Sequence, residues 1–519
     1  MTATNGLAGR REWTGLAVLL LPTLVLAMDM GVLFFAVPFI ATDLHPSGTQ
    51  QLWIMDMYSF LLAGLLIPMG ALGDRIGRRK LLLAGTAGFA AASLVAAYAD
   101  GAAQLIAARA LLGIFGAIFG PSTLALIRTT FHDPKQRQAA IGAWSGMMMA
   151  GVTLGPVVGG LLLDHFWWGS AFLPAVPLML VTLVAAPFVL PEQRAAERTG
   201  RFDLLGAALS MATVLPVVYG IKTLAVEGWS PLAALVLAAG LVVGAGLVVR
   251  LRTAANPLVD LGLFRIRTFS GAITVNTIAM FAMIGFTLFT SQYLQLVKGL
   301  SPLSASLWAL LPSLGVGAAV GGFGALAGKV RPAILLTTGF LISAAGFALI
   351  TQIGPDTPMA AVLVAAGVIA AGSVGTITIT ADMVVSAASA DRAGAAGATS
   401  ETAQELGGSL GIAILGAAGA AIYHTRLDGQ LPAGVTGEAA SAARDTLGGA
   451  ATVAAQLGGE TAERLMDAAR AAFADGMHVA AAVGVVFMVA AALTANRLMR
   501  HLPPAGTEQP ADEPKVLAA

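Results

Sequence analysis

Long apolar stretches alternate with short turns rich in Gly, Pro and charge along nearly the whole chain. A helix crossing the hydrocarbon core of a bilayer needs about 20 mostly apolar residues. By that measure the chain holds about fourteen candidate spans. They lie near 14–39, 51–71, 80–99, 103–127, 138–163, 168–190, 204–223, 231–249, 269–296, 302–327, 332–353, 358–380, 398–423 and 477–498. The first follows Arg10 and Arg11 as a signal-peptide core would. It is too long for one, lacks a small-residue cleavage site and is followed by further spans, so it is read as the first membrane helix.

Two segments break this rhythm. Residues 191–203 (PEQRAAERTGRFD) are charged and read as a link between halves. Residues 425–476 hold two helical runs, 437–456 and 460–474, parted by Gly458 and Gly459. Their Ala-rich composition with charges on one face predicts an extracellular helical hairpin between helices 13 and 14. The tail 501–519 reads as disordered and cytoplasmic.

Composition sharpens the class. Of 519 residues, 57% are hydrophobic and 11% charged, with a mean hydropathy of +0.81. A soluble domain carries roughly a quarter of its residues as charges. The chain is therefore read as lipid-embedded, and not as a soluble enzyme, a disordered chain or a nucleic-acid binder. Without cysteine there is no disulfide, thiolate metal site or cysteine nucleophile.

The net charge of +1 says little, but the placement of the charges says more. With a cytoplasmic N-terminus, the inner segments carry Arg75, Arg78, Arg79, Lys80, Arg128, Lys135, Arg137, Arg250, Arg252, Arg265 and Arg267. The outer segments carry Lys222 and Lys298, with Arg426, Arg444, Arg464 and Arg470 in the long loop. This positive-inside bias predicts a multi-pass membrane protein with both termini cytoplasmic.

An ionisable side chain inside a span costs about 2.5–3.5 kcal/mol on insertion scales and is a functional candidate by default. The spans hold the acids Asp29, Asp56, Asp382, Glu401 and Glu405 against the base Arg109. Asp29 falls near the midplane, where no cap or loop explains it. Asp56 lies near the outer end of its span beside Trp53, Met57 and Tyr58, which predicts a mixed aromatic and acidic wall. Glu401 and Glu405 are four residues apart and share one helix face. Two such carboxylates in a low dielectric do not ionise together easily, which suits a proton carrier. Asp382 is read as structural. Arg109 needs a backbone carbonyl or an acid as partner.

An acid-rich cavity favours cations. Met30 and Phe34, with Trp53, Met57 and Tyr58, are candidate pocket walls, since ring faces and thioethers hold bulky apolar cations without fixed geometry. There is no phosphate-binding Gly-x-x-x-x-Gly-Lys-Ser/Thr loop, and the six histidines lack metal-ligand spacing. No cofactor, metal or catalytic residue is expected. The energy source is an ion gradient, and carboxylates point to protons.

Between the second and third spans the chain reads Gly70-Ala-Leu-Gly-Asp74-Arg75-Ile-Gly77-Arg78-Arg79-Lys80. This resembles the G-x-L-x-D-R-x-G-R-[KR] signature of the major facilitator superfamily at nearly every position. The fifth span carries Gly151, Gly155, Pro156, Gly159 and Gly160, similar to that superfamily's antiporter motif G-x-x-x-G-P-x-x-G-G. Arg109 with Gly113 resembles its R-x-x-x-G element, and the resemblance gives Arg109 a part in proton coupling. Residues 28–38 are similar to the L-D-x-T-V-x-N-V-A-L-P element of the fourteen-helix drug:proton antiporter branch, with Gly31 and Phe34 in place of Thr and Asn. Residues 46–59 and 400–407 resemble multidrug exporters of the QacA, SmvA and LfrA type. A degenerate echo of the first motif at 322–331 points to an internal repeat.

The resemblance implies an all-α polytopic membrane protein of the major facilitator fold with 14 transmembrane helices. Its organisation would be an N-terminal six-helix bundle (1–191), a linker with inserted helices 7 and 8 (192–267), and a C-terminal six-helix bundle (268–500). The implied function is proton-coupled export of lipophilic, mainly cationic antimicrobial compounds, by a monomer. A dedicated exporter of one antibiotic or secondary metabolite is the alternative. A membrane receptor that uses the 425–476 loop is a third reading, against which acids in both halves argue.

Overall fold

The computed structural model describes residues 8–192, 204–226, 229–253, 261–387, 393–500 and 502. All regular structure among them is helical. The link 193–203 and nearly all of the tail lie outside the described residues.

The first half comprises α1 (Arg10–Leu44), α2 (Gly48–Ile76), α3 (Arg78–Ala97), α4 (Ala102–Gly116), α5 (Phe119–Thr130), α6 (Pro134–His165) and α7 (Ala175–Val189). A 3₁₀ turn, Trp168–Phe172, precedes α7. The expected fourth span is divided into α4 and α5 just ahead of Pro121. Proline has no N–H to return to the carbonyl four residues back, so the helix breaks there. α8 (Leu204–Val226) and α9 (Pro231–Thr253) follow as a closely packed pair.

The second half comprises α10 (Arg267–Gln292), α11 (Pro302–Trp308), α12 (Leu311–Ala327), α13 (Pro332–Ile350), α14 (Met359–Ser386), α15 (Ala393–Asp428), α16 (Gly437–Asp445), α17 (Leu447–Leu457) and α18 (Gly459–Met499). Pro312 divides α11 from α12 as Pro121 divides α4 from α5.

Among the described residues, 12 helical segments are long and apolar enough to cross a membrane. α2 and α8, not among those 12, occupy the expected second and seventh spans. Each half has its own core. Phe89, Phe119 and Tyr58 anchor the first, and Phe269, Phe340 and Phe347 the second.

The 425–476 segment departs from expectation in two ways. Its first run is split at Thr446, whose extended backbone ends α16 and whose hydroxyl accepts from Gly449 N at 2.9 Å to start α17. Its second run is not a separate helix. Gly458 and Gly459, at φ of 65° and 62°, make the turn, and α18 then continues unbroken for 41 residues into the last span. No proline interrupts α18, so nothing stops its first turns from joining the apolar remainder.

The halves clasp at one end and part at the other. Where α1 ends, Ser291 Oγ donates to Phe34 O at 2.9 Å and Ser301 Oγ to Asp164 Oδ2 at 3.0 Å. Gly160 faces Ser306 and Leu303 of α11 closely enough that a Cβ would sit under 3 Å from both. Towards the opposite end α6 and α12 meet sparsely at most among the described residues. Gly142 and Gly146 of α6 and Gly317, Gly321, Gly322 and Gly324 of α12 look into open space there.

Candidate functional site

Arg109 is the largest fully buried side chain in the described part of the chain. Its guanidinium donates from Nη1 to Asp29 Oδ2 at 2.5 Å and from Nε to Ile54 O at 3.2 Å. It also lies 4.6 Å from the ring centroid of Tyr58, whose hydroxyl reaches Leu26 O at 3.5 Å. The two expected partners, an acid and a carbonyl, are thus both present. Desolvating an arginine is offset only where charge and hydrogen-bonding capacity are met together, and α1 and α2 supply both.

Asp29 lies inside the first half rather than between the halves. Its side chain is 9% exposed. A small cavity of about 20 Å³ touches it and is walled by Val25, Met28 and Val32 of α1 and by the segment from Ala171 to Leu178.

The glycines of the fifth span explain how α1 is held there. A Cβ on Gly151 would lie 2.5 Å from Ala27 Cβ, on Gly155 2.7 Å from Met28 O, and on Gly159 2.6 Å from Val32 Cγ1. These residues recur every four positions and form one stripe, so α6 meets the backbone of α1 on both sides of Asp29. Pro156 packs against Gly31, and Gly160 turns to the other half.

α2 carries several functions on different faces. Asp56 is fully buried. Met57 is half-buried, and Trp53 is half-buried and stacks on Tyr219 of α8 with centroids 6.1 Å apart. Tyr58, expected as a pocket wall, is wholly buried beneath Arg109. Phe34 is buried and contributes its carbonyl to the clasp between halves. The Met30, Asp74 and Asp382 side chains lie outside the described residues.

Glu401 and Glu405 reach the first half across the interface. Glu405 hydrogen-bonds Ser59 of α2. The Glu401 carboxylate lies against Gly120 of α5, 3.3 Å from where a Cβ would be. Among the described residues no basic side chain pairs with either.

The motif between α2 and α3 is a brace. Gly77 turns the chain at φ 108°, a conformation that favours glycine. Gly70 packs on Pro121, while Arg78 Nη1 donates to Pro121 O at 3.1 Å, tying α3 to the broken fourth span. Arg79 Nη1 donates to Leu190 O at 2.9 Å and Pro187 O at 3.2 Å, and its Nε lies 3.5 Å from Glu192. A cation on the last carbonyls of α7 complements that helix end. Arg75 is exposed.

Sequence reasoning missed Ser59, Gly120 and Tyr219. Ser59 lies one turn beyond Asp56, and a small polar residue at that spacing is the signal that could have found it. Tyr219 offered none beyond being aromatic. Asn276, whose amide donates to Ser400 Oγ at 3.1 Å beside Glu401, is a buried polar residue in an apolar helix and was legible as such.

Residues 19–412 match the Major Facilitator Superfamily. The chain is 46% identical over 492 residues to the multidrug efflux pump LfrA of Mycolicibacterium smegmatis, covering 95% of this chain and 97% of that one. It is 35% identical to the methyl viologen resistance protein SmvA of Salmonella typhimurium, covering 93% and 99%. It is 34% identical to a tetracenomycin C resistance and export protein of Streptomyces glaucescens, covering 95% and 92%. Among solved structures, a bacterial homologue of the human lysosomal transporter Spinster, inward-facing and unoccupied, superposes with a TM-score of 0.65. It is 17% identical, covers 95% of this chain and 98% of that one, and speaks for the fold alone.

Proposed function

The chain belongs to the Major Facilitator Superfamily, and on that premise we propose that it is a proton-coupled antiporter that exports lipophilic, mainly cationic antimicrobial compounds and dyes of the quaternary ammonium type. The observation that carries this reading is the balance of buried charge. Arg109 is matched by Asp29, while Glu401 and Glu405 face the seam between halves with no basic partner among the described residues, and Asp56 is buried on the adjoining α2. A cavity with surplus carboxylate attracts a cation and takes up protons in its place.

Protons neutralise these acids and lower the affinity for the drug, and deprotonation towards the cytoplasm restores it. The two bundles rock about the site, with Arg109 holding Asp29 in one of its two charge states. The clasped end is the outer face in this reading, and the parted end opens to the cytoplasm. α2 and α8 count as membrane crossings, giving fourteen, with both termini cytoplasmic and α16 and α17 outside the bacterial inner membrane. The transporter acts as a monomer.

The test is ethidium efflux from energised cells, with Asp29→Asn alongside and a protonophore control. Protonophore-sensitive efflux that the substitution abolishes is the expected result. Efflux that survives the protonophore would remove proton coupling. A well-expressed protein that ignores ethidium and other cations would favour a dedicated exporter of another compound.

A further inference from the structure

α2 presents three faces to three neighbours. At about 100° per residue, Leu52 and Ser59 point in one direction, towards Gly416 and Glu405 of α15. Ile54 and Tyr58 point away from it, towards Arg109. Trp53, Phe60 and Gly64 form a third face, and it meets α8. The methyl end of Met211 of α8 occupies the space where Gly64 would carry a Cβ, so α8 lies against this face. α8 packs on α15 as well.

The fully buried Asp56 falls between the α15 face and the α8 face. It therefore sits at a junction of three helices, one of them from the inserted pair. Its aromatic surroundings come from two helices. Trp53, three residues earlier, and Phe60, four residues later, meet edge to face at 6.2 Å. Tyr219 of α8 closes the group, its ring 25° from parallel with that of Trp53. Trp53 and Tyr219 are each half-buried, while Phe60 and Asp56 are sealed. The two half-buried rings thus lie on the α8 side of the helix turn that carries the acid.

We propose that Tyr219 is a substrate-contact residue that forms, with Trp53 and Asp56, a subsite for planar aromatic cations at the junction of α2, α8 and α15. The inference rests on the cation-export reading and adds to it a function for the inserted helices. A flat cation stacks on faces of this kind and is held electrostatically by the ring quadrupoles and the carboxylate beneath. A cation with only alkyl substituents gains the charge interaction but not the stacking.

The experiment compares wild type, Tyr219→Leu and Tyr219→Phe for efflux of ethidium and of dodecyltrimethylammonium, and for ethidium binding by the purified proteins. Tyr219→Leu should weaken ethidium binding and efflux about tenfold and leave dodecyltrimethylammonium within about twofold. Tyr219→Phe should retain both. If Tyr219 only braces α8 against α2, the leucine variant loses both substrates equally, which would overturn the proposal. Unchanged ethidium handling in that variant would overturn it too. A wild type that moves neither cation refutes cation export itself, and the subsite with it, and so differs from a wild type that pumps while the variants do not discriminate.

Discussion

The two halves of the molecule treat buried charge in opposite ways. In the first half Asp29 and Arg109 form a closed pair, with Ile54 O and the Tyr58 ring completing the arginine's surroundings. In the second, Glu401 and Glu405 have no basic partner among the described residues and reach Gly120 and Ser59 of the other half. Gly70 packs on Pro121, yet Gly322 and Gly324 of the echoing motif meet nothing. A matched pair holds one arrangement, whereas an unmatched acid facing another body is free to exchange proton, cation and hydrogen-bond partner as the halves move. The first half thus closes its Asp29–Arg109 pair within itself, whereas the second presents Glu401 and Glu405 to its neighbour.

The largest expected effect comes from breaking the pair unevenly. Arg109→Ala leaves a buried carboxylate alone, and removing one member of such a pair costs about 3–5 kcal/mol. Its melting temperature in detergent should fall steeply and efflux should vanish. Arg109→Ala with Asp29→Asn should recover much of that stability while remaining inactive. If the double variant is as unstable as Arg109→Ala alone, the arginine acts through packing and not charge.

Glycine contrast comes next. Gly155→Leu forces a side chain against Met28 O, and overpacking of that kind costs about 1–3 kcal/mol. Gly322→Leu extends into open space and should shift stability by less than about 0.5 kcal/mol. Equal losses at both sites would erase the difference between the packed glycine and the open one.

Glu405→Gln should abolish or strongly reduce efflux with little change in melting temperature, because it breaks no ion pair and keeps an acceptor for Ser59. A stability loss as large as that of Arg109→Ala would mean that Glu405 is a structural charge.

The smallest effect concerns α16. Burial raises the Asp445 carboxyl above its ordinary range, with His424 opposing. The folded protein therefore holds this proton more tightly than the unfolded chain does. Asp445 weakens the fold as pH rises from the usual carboxylate range through the raised value, and it does not do so at lower pH. Asp445→Asn should remove that decline from a melting profile measured between acid and neutral pH.

Much of this molecule was legible along the chain. The position of nearly every helix follows from runs of apolar residues, and Pro121 and Pro312 account for the interrupted ones. The acids and Arg109 stood out because each is expensive in lipid. Their partners did not, since Arg109 and Asp29 are 80 residues apart and nothing local links them. Tyr58 looked like a pocket wall because it neighbours Asp56 and Met57 in sequence, but on a helix that neighbour points elsewhere. The 437–456 run was read as one helix because it is Ala-rich on both sides of Asp445-Thr446, and Thr446 broke it by capping its own successor.

By itself the sequence determined which segments are apolar enough to enter a membrane and which family motifs they carry. Insertion depends on the apolar content of each segment, and a tight turn depends on the few residues within it. Tertiary structure alone decided that Asp29 is matched while Glu401 and Glu405 face the other half, and that α8 rather than lipid covers Trp53. Those outcomes depend on how each helix is rotated about its axis and how closely its neighbours approach. Gly151, Gly155 and Gly159 set that approach for α6 and α1, acting through contacts with residues distant in the chain.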